Sequence, residues 1–356
     1  MIKIVSPSGA IDPRYIDLAT EVLRGWGYAV SAAVHARGKV GRFAASDDER
    51  VADLADALAD PAVDMILCAR GGYGLQRIID RIPPIHKPII GFSDITALHM
   101  LAAQTGQATI HAMMCKGIMD EGLRTQDKRL KSTDSEDSET GVANPLSFLQ
   151  RALAHETLHY ELPAHPLNRE GKIKGTLVGG NLSVLYGLQG TAYGLDERLR
   201  IKDKRLNSND FKEVRSLGRT QYKDASDTEV ISPSSLSPSL CREGWGGSPL
   251  ILFIEDVGER HYHVDRMMNN LRLSGVLANL SGLIVGQFND CEDDPSMGCT
   301  VYETIRRAVE PYHYPVVFNF PAGHVEENMP LYLNAPVEID VREDYSSSIH
   351  SFFKSS

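Results

Sequence analysis

The chain has 356 residues, 42% of them hydrophobic and 24% charged, a globular composition in a chain long enough for two domains. Its apolar runs fall far short of the roughly 20 residues that span a bilayer, so we expect no membrane partner. The net charge is −10 and the basic residues are scattered, which argues against nucleic acid. The N-terminus lacks the features of a secretion signal, so we predict a cytoplasmic protein.

Cysteine and histidine spacing gives little sign of a metal site. The five cysteines form no CxxC pair and show no metal-like spacing with histidine. His261 and His263 are the one pair that suggests a metal, but no third ligand with suitable spacing follows them. We therefore predict no metal and no other cofactor.

The first half of the chain alternates predicted strands and helices. Apolar runs predict strands at 2–5, 28–34, 63–69 and 88–91, and helical spacing predicts helices at 13–23 and 49–58 and from about residues 75 and 95. A continuous apolar run such as 63–69 is typical of a strand covered on both faces. This pattern predicts a parallel α/β domain with its functional residues at the carboxyl ends of the strands.

The second half predicts a smaller β-rich, barrel-like domain. Strands are expected at 250–255, 282–288, 315–319 and 331–341, and an amphipathic helix at 264–273. The predicted divisions are an N-terminal domain (1–150), a linker (151–170), a C-terminal domain (171–345) and an unpacked tail (346–356). Two polar stretches, about 124–141 and 203–248, are predicted to be mobile surface insertions rather than a substrate lid.

Ser93 follows a predicted strand through Gly91 and stands directly before a predicted helix. A sharp strand-to-helix turn presents a serine hydroxyl as in the G-x-S-x-G nucleophile elbow, although Ile95 replaces the last glycine here. Ser93 is therefore either a nucleophile or the N-cap of the helix. In the first case, the N–H of Asp94 would lie near a developing oxyanion.

A glycine-rich segment, Arg70-Gly71-Gly72-Tyr73-Gly74, follows the preceding strand. Glycines at a strand end let the backbone approach a ligand and donate an N–H to an oxyanion. No Gly-Lys-Ser/Thr follows, so the segment is not a phosphate loop. A tight turn that needs positive φ is the alternative, and it is compatible with Gly71 or Gly72 as an oxyanion donor.

Acidic residues end a predicted strand at Glu255, Asp256 and Glu259, and His324 lies on a glycine-preceded turn. A carboxylate beside a histidine fixes the tautomer and offsets the positive charge that forms during general base catalysis. Glu255 follows the strand most directly, but Asp256 and Glu259 are rivals, and each could be a solvated loop carboxylate. With twelve histidines in the chain, the residues alone barely single out His324.

Taken in order, six motifs resemble those of the LD-carboxypeptidase family of serine peptidases. The motifs are Ser6-Pro7-Ser8-Gly9, Arg70-Gly71-Gly72-Tyr73-Gly74, Gly91-Phe92-Ser93-Asp94, Gly179-Gly180-Asn181-Leu182, Ile254-Glu255-Asp256-Val257 continuing to Asp265-Arg266, and Gly323-His324 continuing to Asn328. The resemblance covers nearly the whole chain except the two polar stretches.

The resemblance implies Ser93 as the nucleophile on the N-terminal domain, with Glu255 and His324 as its partners on the C-terminal domain. It implies cleavage of the bond before a terminal D-alanine in murein tetrapeptides during cell-wall recycling, and hence a small muropeptide as substrate. The family often forms homodimers, which we also expect here. A carboxypeptidase must bind a terminal carboxylate, and Arg70 is the candidate.

Two other functions stay open. The chain is also similar to microcin-immunity peptidases, which act on peptide–nucleotide conjugates, and an aromatic platform for the base would favour that activity. Trp245, within the second polar stretch, is the candidate platform. The remaining alternative is a non-catalytic binding protein that kept the fold, although all three triad positions are filled.

Overall fold

The computed structural model describes residues 1–122, 144–196 and 248–353. The predicted insertion at 124–141, nearly all of that at 203–248, and Trp245 lie outside the described residues. Within the described residues, none of the helices has both the length and the apolar character needed to cross a membrane.

The first sheet has six strands and is parallel except at one edge. It consists of β1 (Ile2–Val5), β2 (Val30–Ala32), β3 (Met65–Cys68), β4 (Ile89–Gly91), β5 (Thr109–His111) and β11 (Leu331–Leu333), in the order β11-β5-β4-β3-β1-β2. Only β11 pairs antiparallel. The central strands β3 and β4 are buried along their whole length, as the continuous apolar runs predict.

Helices α1 (Pro13–Gly25) and α2 (Asp47–Ala59) lie close to their predicted positions. The side chain of Asp12 caps α1, and Ser46 forms a capping box with Glu49 at the start of α2. After β4, a short 3-10 turn (Ser93–Ile95) leads into α3 (Thr96–Ala102).

The helix predicted from about residue 75 is wrong. Two short 3-10 turns, Leu75–Arg77 and Ile79–Arg81, occupy this segment instead. Pro83 and Pro84 follow almost at once, and a proline disfavours helical backbone at the residue before it. The segment is therefore too short for a regular α-helix to gain from cooperative hydrogen bonding.

The second sheet has seven strands and is mixed. It consists of β6 (Leu158–Leu162), β7 (Gly171–Asn181), β8 (Leu250–Val257), β9 (Gly282–Asn289), β10 (Val316–Val317), β12 (Ala335–Val341) and β13 (Ser347–Ser351), in the order β10-β9-β8-β7-β12-β13-β6. Strands β7 to β10 pair in parallel and the others antiparallel. The helices of this half are α4 (Pro145–Leu153), α5 (Leu182–Leu188), α6 (His261–Leu273) and α7 (Val301–Ala308). The predicted fold class, a parallel α/β domain followed by a β-rich domain, is confirmed.

The strand predicted at 331–341 divides between the two sheets. Asn334 has φ +57 and separates β11, in the first sheet, from β12, in the second. Its side-chain amide donates to the carbonyl oxygens of His99 (3.0 Å) and Gln107 (3.2 Å). Asparagine tolerates this left-handed conformation better than most residues do, and these hydrogen bonds hold the break in place.

The predicted linker at 151–170 and unpacked tail at 346–356 both contribute strands to the second sheet. Strand β6 lies within the first segment, and β13 lies within the second, between β12 and β6. The tail is rich in serine, so its sequence lacks the apolar pattern that would predict a packed strand. Small side chains nevertheless fit the interior here, and Ser347, Ile349 and Ser351 are all fully buried. The description of 346–356 as an unpacked tail is therefore wrong for 347–351.

Shortening the buried side chain in β13 tests how firmly the C-terminal strand is packed. We expect Ile349→Ala to lower the free energy of unfolding by about 2–5 kcal/mol, because it leaves a cavity in a closely packed interior. His350→Ala, on the less buried face of the same strand, is the matched control and is expected to cost much less. Urea unfolding of both variants measures the difference, and equal small losses would contradict the packed strand.

Candidate active site

Ser93 lies at a strained turn at the carboxyl end of β4. Its φ is +65, in the left-handed region that non-glycine residues seldom adopt. Gly91 makes the turn possible, because its φ is +155 and a Cβ there would lie only 3.0 Å from the Ile95 side chain. Phe92 is the N-cap of the 3-10 turn and Ile95 is the N-cap of α3, so the N-cap alternative for Ser93 is wrong.

Ser93, His324 and Glu255 form a continuous line of hydrogen bonds between the two sheets. The Ser93 Oγ lies 3.1 Å from His324 Nε2, and His324 Nδ1 lies 2.8 Å from Glu255 Oε2. Because the carboxylate accepts from Nδ1–H, Nε2 is left to accept the proton of the serine hydroxyl. The structure thus brings together the three residues that the sequence nominated for the triad.

Backbone irregularities aim the Glu255 carboxylate at the histidine. The pairing of β8 with β9 shifts register between Ile254 and Asp256, and a bulge of this kind redirects a side chain. Glu255 is fully buried. Gly323 has φ +133, and a Cβ there would lie 3.0 Å from Glu255 Oε2. The Asn328 side chain accepts from the Gly323 N–H at 3.0 Å and so holds the loop that carries His324.

The rival carboxylates point to other partners. Asp256 accepts from the Asn181 side-chain amide (2.9 Å) and from the Ser183 N–H (2.8 Å), at the start of α5. Glu259 lies 2.9 Å from His263 Nδ1, on the next helix. Glu255 is therefore the one of the three nominated carboxylates that contacts His324.

The two histidines considered for a metal are also engaged elsewhere. His261 Nδ1 accepts from the Asp294 N–H at 3.1 Å, so its Nε2 carries the proton and donates to Thr304 Oγ1 at 2.7 Å. Among the described residues, no group of three or more His, Cys, Asp or Glu side chains is arranged to hold a metal ion.

Two loops are fastened to the serine turn by the buried side chain of Asp94. Its carboxylate accepts from the Ser8 hydroxyl (2.5 Å) and the Leu75 N–H (3.0 Å). Burial is the main cause that raises the pKa of Asp94, and the two hydrogen bonds oppose it. The sequence motifs indicate a role for the backbone N–H of Asp94 but not for its side chain, and they assign no separate role to Ser8. The signal was present, since Ser8 belongs to one of the six motifs.

Gly71 packs directly against the serine. A Cβ at this position would lie 2.9 Å from Ser93 Cβ and 3.1 Å from the Phe92 carbonyl oxygen. The Gly71 carbonyl accepts from the Gly9 N–H at 3.1 Å. In a trans peptide the following N–H points the opposite way, so the N–H of Gly72 faces away from Gly9.

A hydrogen bond from His99, which the sequence did not predict, stabilises the turn that carries Ser93. The buried His99 Nε2 lies 2.9 Å from the carbonyl oxygen of Gly91, which marks Nε2 as the protonated donor. Burial lowers the pKa of His99 to about 4, so the ring is neutral near pH 7. The Phe92 ring meets the His324 ring edge-on, with centroids 4.9 Å apart. A histidine on an apolar helix face carries no sequence signal for this role.

A cavity of about 640 Å³ opens beside the triad and is lined by residues from both sheets' loops. Ser93, His324, Gly71 and Gly72 all line it, together with the exposed Arg70. Arg70 donates to the Ala10 carbonyl oxygen at 2.5 Å through one of its guanidinium nitrogens. Lining residues not nominated from the sequence include Met113, Met114 and Lys116, which follow β5.

Comparison with known protein families shows to which family the chain belongs. Residues 2–112 match the LD-carboxypeptidase N-terminal domain, and residues 240–339 match the LD-carboxypeptidase C-terminal domain. The chain belongs to the LD-carboxypeptidase family. The two matched regions include Ser93 in the first and both Glu255 and His324 in the second, and membership in this peptidase family supports peptidase activity.

Relatives of this LD-carboxypeptidase family member that align over most of both chains include proteins named as murein peptidases. A carboxypeptidase homologue of Streptomyces coelicolor is 28% identical, over 95% of this chain and 90% of its own length. The "Probable murein peptide carboxypeptidase" of Bacillus subtilis is 26% identical, over 96% and 89% of the two chains. The murein tetrapeptide carboxypeptidase of Pseudomonas aeruginosa is 24% identical, over 92% and 89%.

Solved structures show the same fold. The muramoyltetrapeptide carboxypeptidase from Oxalobacter formigenes superposes with a TM-score of 0.70 at 21% identity, covering 100% of this chain and 99% of that one. MccF in complex with glutamyl sulfamoyl guanosine superposes with a TM-score of 0.64 at 17% identity, covering 99% and 96%.

The buried Asp256 gives a test of the electrostatics next to Glu255. Burial and the Glu255 carboxylate raise the pKa of Asp256 from 3.8 to about 7. A raised pKa in the folded state means that the protonated carboxyl stabilises the fold, and this contribution is lost as the pH rises from about 4 to about 7. We expect the wild type to lose more free energy of unfolding than Asp256→Asn between about pH 5 and about pH 8.

Urea unfolding at the two pH values measures this difference. Asp56→Asn, at an exposed position on α2, is the control and is expected to follow the wild type. A parallel response of the wild type and Asp256→Asn would show that Asp256 is ionised throughout.

Proposed function

We propose that the chain is a serine carboxypeptidase that removes the terminal D-alanine from murein tetrapeptides. The observation that carries this proposal is the line Ser93 Oγ to His324 Nε2 (3.1 Å) and His324 Nδ1 to Glu255 Oε2 (2.8 Å) beside the cavity. This is the geometry of a nucleophile, a general base and a carboxylate that orients the base. The murein peptidases among the relatives support the choice of substrate.

The reaction follows from these contacts. His324 takes the Ser93 hydroxyl proton as Oγ attacks the carbonyl carbon before D-alanine, and then gives that proton to the leaving amine. The resulting ester is hydrolysed when His324 takes a proton from water and returns it to Ser93. Glu255 holds the ring in the required tautomer and stabilises the imidazolium in a buried setting.

Backbone N–H groups near Ser93 are proposed to stabilise the oxyanion. Asp94 supplies one, at the start of the 3-10 turn, where the first N–H groups of a helical segment have no internal partner. The N–H of Gly72 is the second, because the Gly71 carbonyl is turned toward Gly9. Gly71, the other nominated donor, also leaves room for Ser93, because a Cβ there would lie 2.9 Å from Ser93 Cβ. Arg70 is proposed to bind a substrate carboxylate with the guanidinium nitrogens not used by Ala10.

A related amide hydrolysis of peptide–nucleotide conjugates is the second candidate. It is favoured by the likeness in fold to MccF, which has been solved with glutamyl sulfamoyl guanosine and with adenosine monophosphate. The same triad would attack either kind of substrate, since both reactions are acyl transfers to water.

Alanine release from a murein tetrapeptide ending in D-alanine tests the proposal, with Ser93→Ala as the control. We expect release, followed by mass spectrometry, that is lost in the control protein. No release by folded wild-type protein would reject the tetrapeptide substrate. Cleavage of an aminoacyl sulfamoyl nucleotide by the same preparation would then identify the second candidate, and failure of both would favour a non-catalytic protein.

Replacing the buried Glu255 carboxylate tests whether it acts by orienting the His324 ring or only through its negative charge. We expect Glu255→Gln to lower kcat by about 10³–10⁴-fold, because an amide can no longer hold His324 in the tautomer that accepts the serine proton. Glu259→Gln removes a carboxylate at the end of the same strand but away from His324, and is expected to stay near wild type. A loss shared by both variants would assign the effect to general charge.

The space around Ser93 gives a further test. We expect Gly71→Ala to abolish labelling of Ser93 by a fluorophosphonate probe, because the added methyl group would lie 2.9 Å from Ser93 Cβ and 3.1 Å from backbone. Gly25→Ala is the matched control, since a Cβ at Gly25 meets nothing within 4 Å. Labelling of Gly71→Ala at the wild-type rate would remove the proposed role of this close contact.

A further inference from the structure

A second cavity of about 580 Å³ adjoins the one beside Ser93. The two share Ile11, Asp12, Arg70 and Gly72, so a molecule bound at Ser93 can extend past Arg70 into the neighbouring space. The second cavity is here called the cationic groove, and its charged and aromatic lining residues are Asp12, Arg37, Lys39, Arg42, Arg70 and Tyr73.

The groove carries a local charge opposite to that of the whole chain. Four of its lining side chains are cationic, whereas the chain has a net charge of −10. The single lining carboxylate, Asp12, is held by the Arg14 guanidinium, with Nε to Oδ2 at 3.0 Å and Nη2 to Oδ2 at 2.6 Å. That hydrogen-bonded ion pair lowers the pKa of Asp12. Its charge is therefore largely balanced by a residue outside the groove.

Two of the four cations, Lys39 and Arg42, have all their side-chain donors available to a ligand, and Arg70 has part of its guanidinium available. Arg37 is paired with Asp17, with Nη2 to Oδ1 at 2.6 Å, and Arg70 uses one nitrogen on the Ala10 carbonyl. Lys39 and Arg42 are exposed, and neither forms an ion pair within the parts of the chain that the structure describes. Like charges held near one another repel, and an anionic ligand would relieve this repulsion.

The wall that presents Arg42 is built in advance of binding. The Arg42 guanidinium lies over the Tyr73 ring, 5.5 Å from its centroid, and that ring lies 6.1 Å from the Phe43 ring. Backbone bridges join Phe43 to Val40 and to Gly9. A guanidinium stacked on an aromatic ring keeps its edge nitrogens free for a carboxylate or phosphate, so less entropy is lost on binding.

We propose that the cationic groove, through Lys39 and Arg42, binds an anionic group of the substrate whose scissile bond lies at Ser93. This inference rests on the proposed function and deepens it by naming a carboxylate or phosphate as a specificity element. In a murein tetrapeptide the group is either the terminal carboxylate or a side carboxylate remote from the scissile bond. In a peptide–nucleotide conjugate the group is the phosphate or its sulfamoyl analogue.

Binding measurements on Ser93→Ala protein test the groove without hydrolysis. Isothermal titration compares this protein with the same protein carrying Lys39→Gln and Arg42→Gln, and with a charge-retaining pair, Lys39→Arg and Arg42→Lys. Arg81→Gln, which removes an exposed arginine paired with Asp48 outside both cavities, is the charge control. The ligands are the tetrapeptide, its side-carboxamide form, its terminal-amide form and adenosine monophosphate, at low ionic strength because exposed charges are screened by salt.

We expect the double glutamine variant to bind the tetrapeptide about ten-fold more weakly and Arg81→Gln to stay within about two-fold of the parent. The charge-retaining pair is expected to fall between them, because a lysine at position 42 keeps the charge but not the guanidinium stacked on Tyr73. The amidated peptide on which this difference vanishes identifies the carboxylate that the groove holds. If neither peptide binding nor alanine release is observed, the proposed substrate is wrong. The effect of the Lys39 and Arg42 substitutions on adenosine monophosphate binding then tests by itself whether the groove binds an anionic group. Binding of every ligand that is the same with and without Lys39 and Arg42 would overturn the proposal.

Discussion

The hydrogen bonds from Glu255 through His324 to Ser93 depend on one constraint, which is that the two sheets are held in a fixed relation. Ser93 follows β4 of the first sheet, whereas Glu255 lies in β8 of the second. The packing of α3 on β7 supplies this relation. The Asn181 N–H donates to Thr96 Oγ1 at 2.9 Å, and a Cβ at Gly180 would lie 2.5 Å from that same oxygen. A larger residue at Gly180 would therefore force the Thr96 side chain, or the packing of α3 on β7, to shift.

The chain crosses between the sheets more than once, which reinforces this relation. Strand β11 joins the first sheet and β12 the second, with only Asn334 between them. The amide of Asn334 donates to carbonyl oxygens of the first domain. The Tyr332 hydroxyl in β11 donates to the carbonyl oxygen of Glu156, just before β6. The two sheets are therefore tied by covalent chain and by buried hydrogen bonds as well as by the triad itself.

The carboxyl groups near the candidate site are buried, whereas the cationic side chains of the groove lie at the surface. Glu255, Asp94 and Asp256 are buried, and each accepts hydrogen bonds that offset part of its desolvation cost. One oxygen of Glu255, Oε1, accepts none within the described residues. The cationic groove lies at the surface, on loops that follow β1, β2 and β3. A substrate that bridges the two would place its reacting carbonyl in the desolvated region and its anionic group where water and guanidinium share the charge.

The sequence by itself determined the order of the main strands and helices, the strained turn at Ser93 and the glycine-rich loop, because local spacing, caps and glycines carry that information. The residues alone left Ser93 between nucleophile and cap, and left Glu255 among three carboxylates, while the family resemblance singled out Glu255 and His324. Only the tertiary structure decided that Glu255 contacts His324 while Asp256 faces Asn181. Those contacts join residues from different sheets, and no local pattern encodes a distance across a fold. For the same reason, only the structure revealed strand β13, because its serines carry no apolar signal. It also revealed that Lys39 and Arg42 lie beside Arg70, because these residues come from distant segments of the chain.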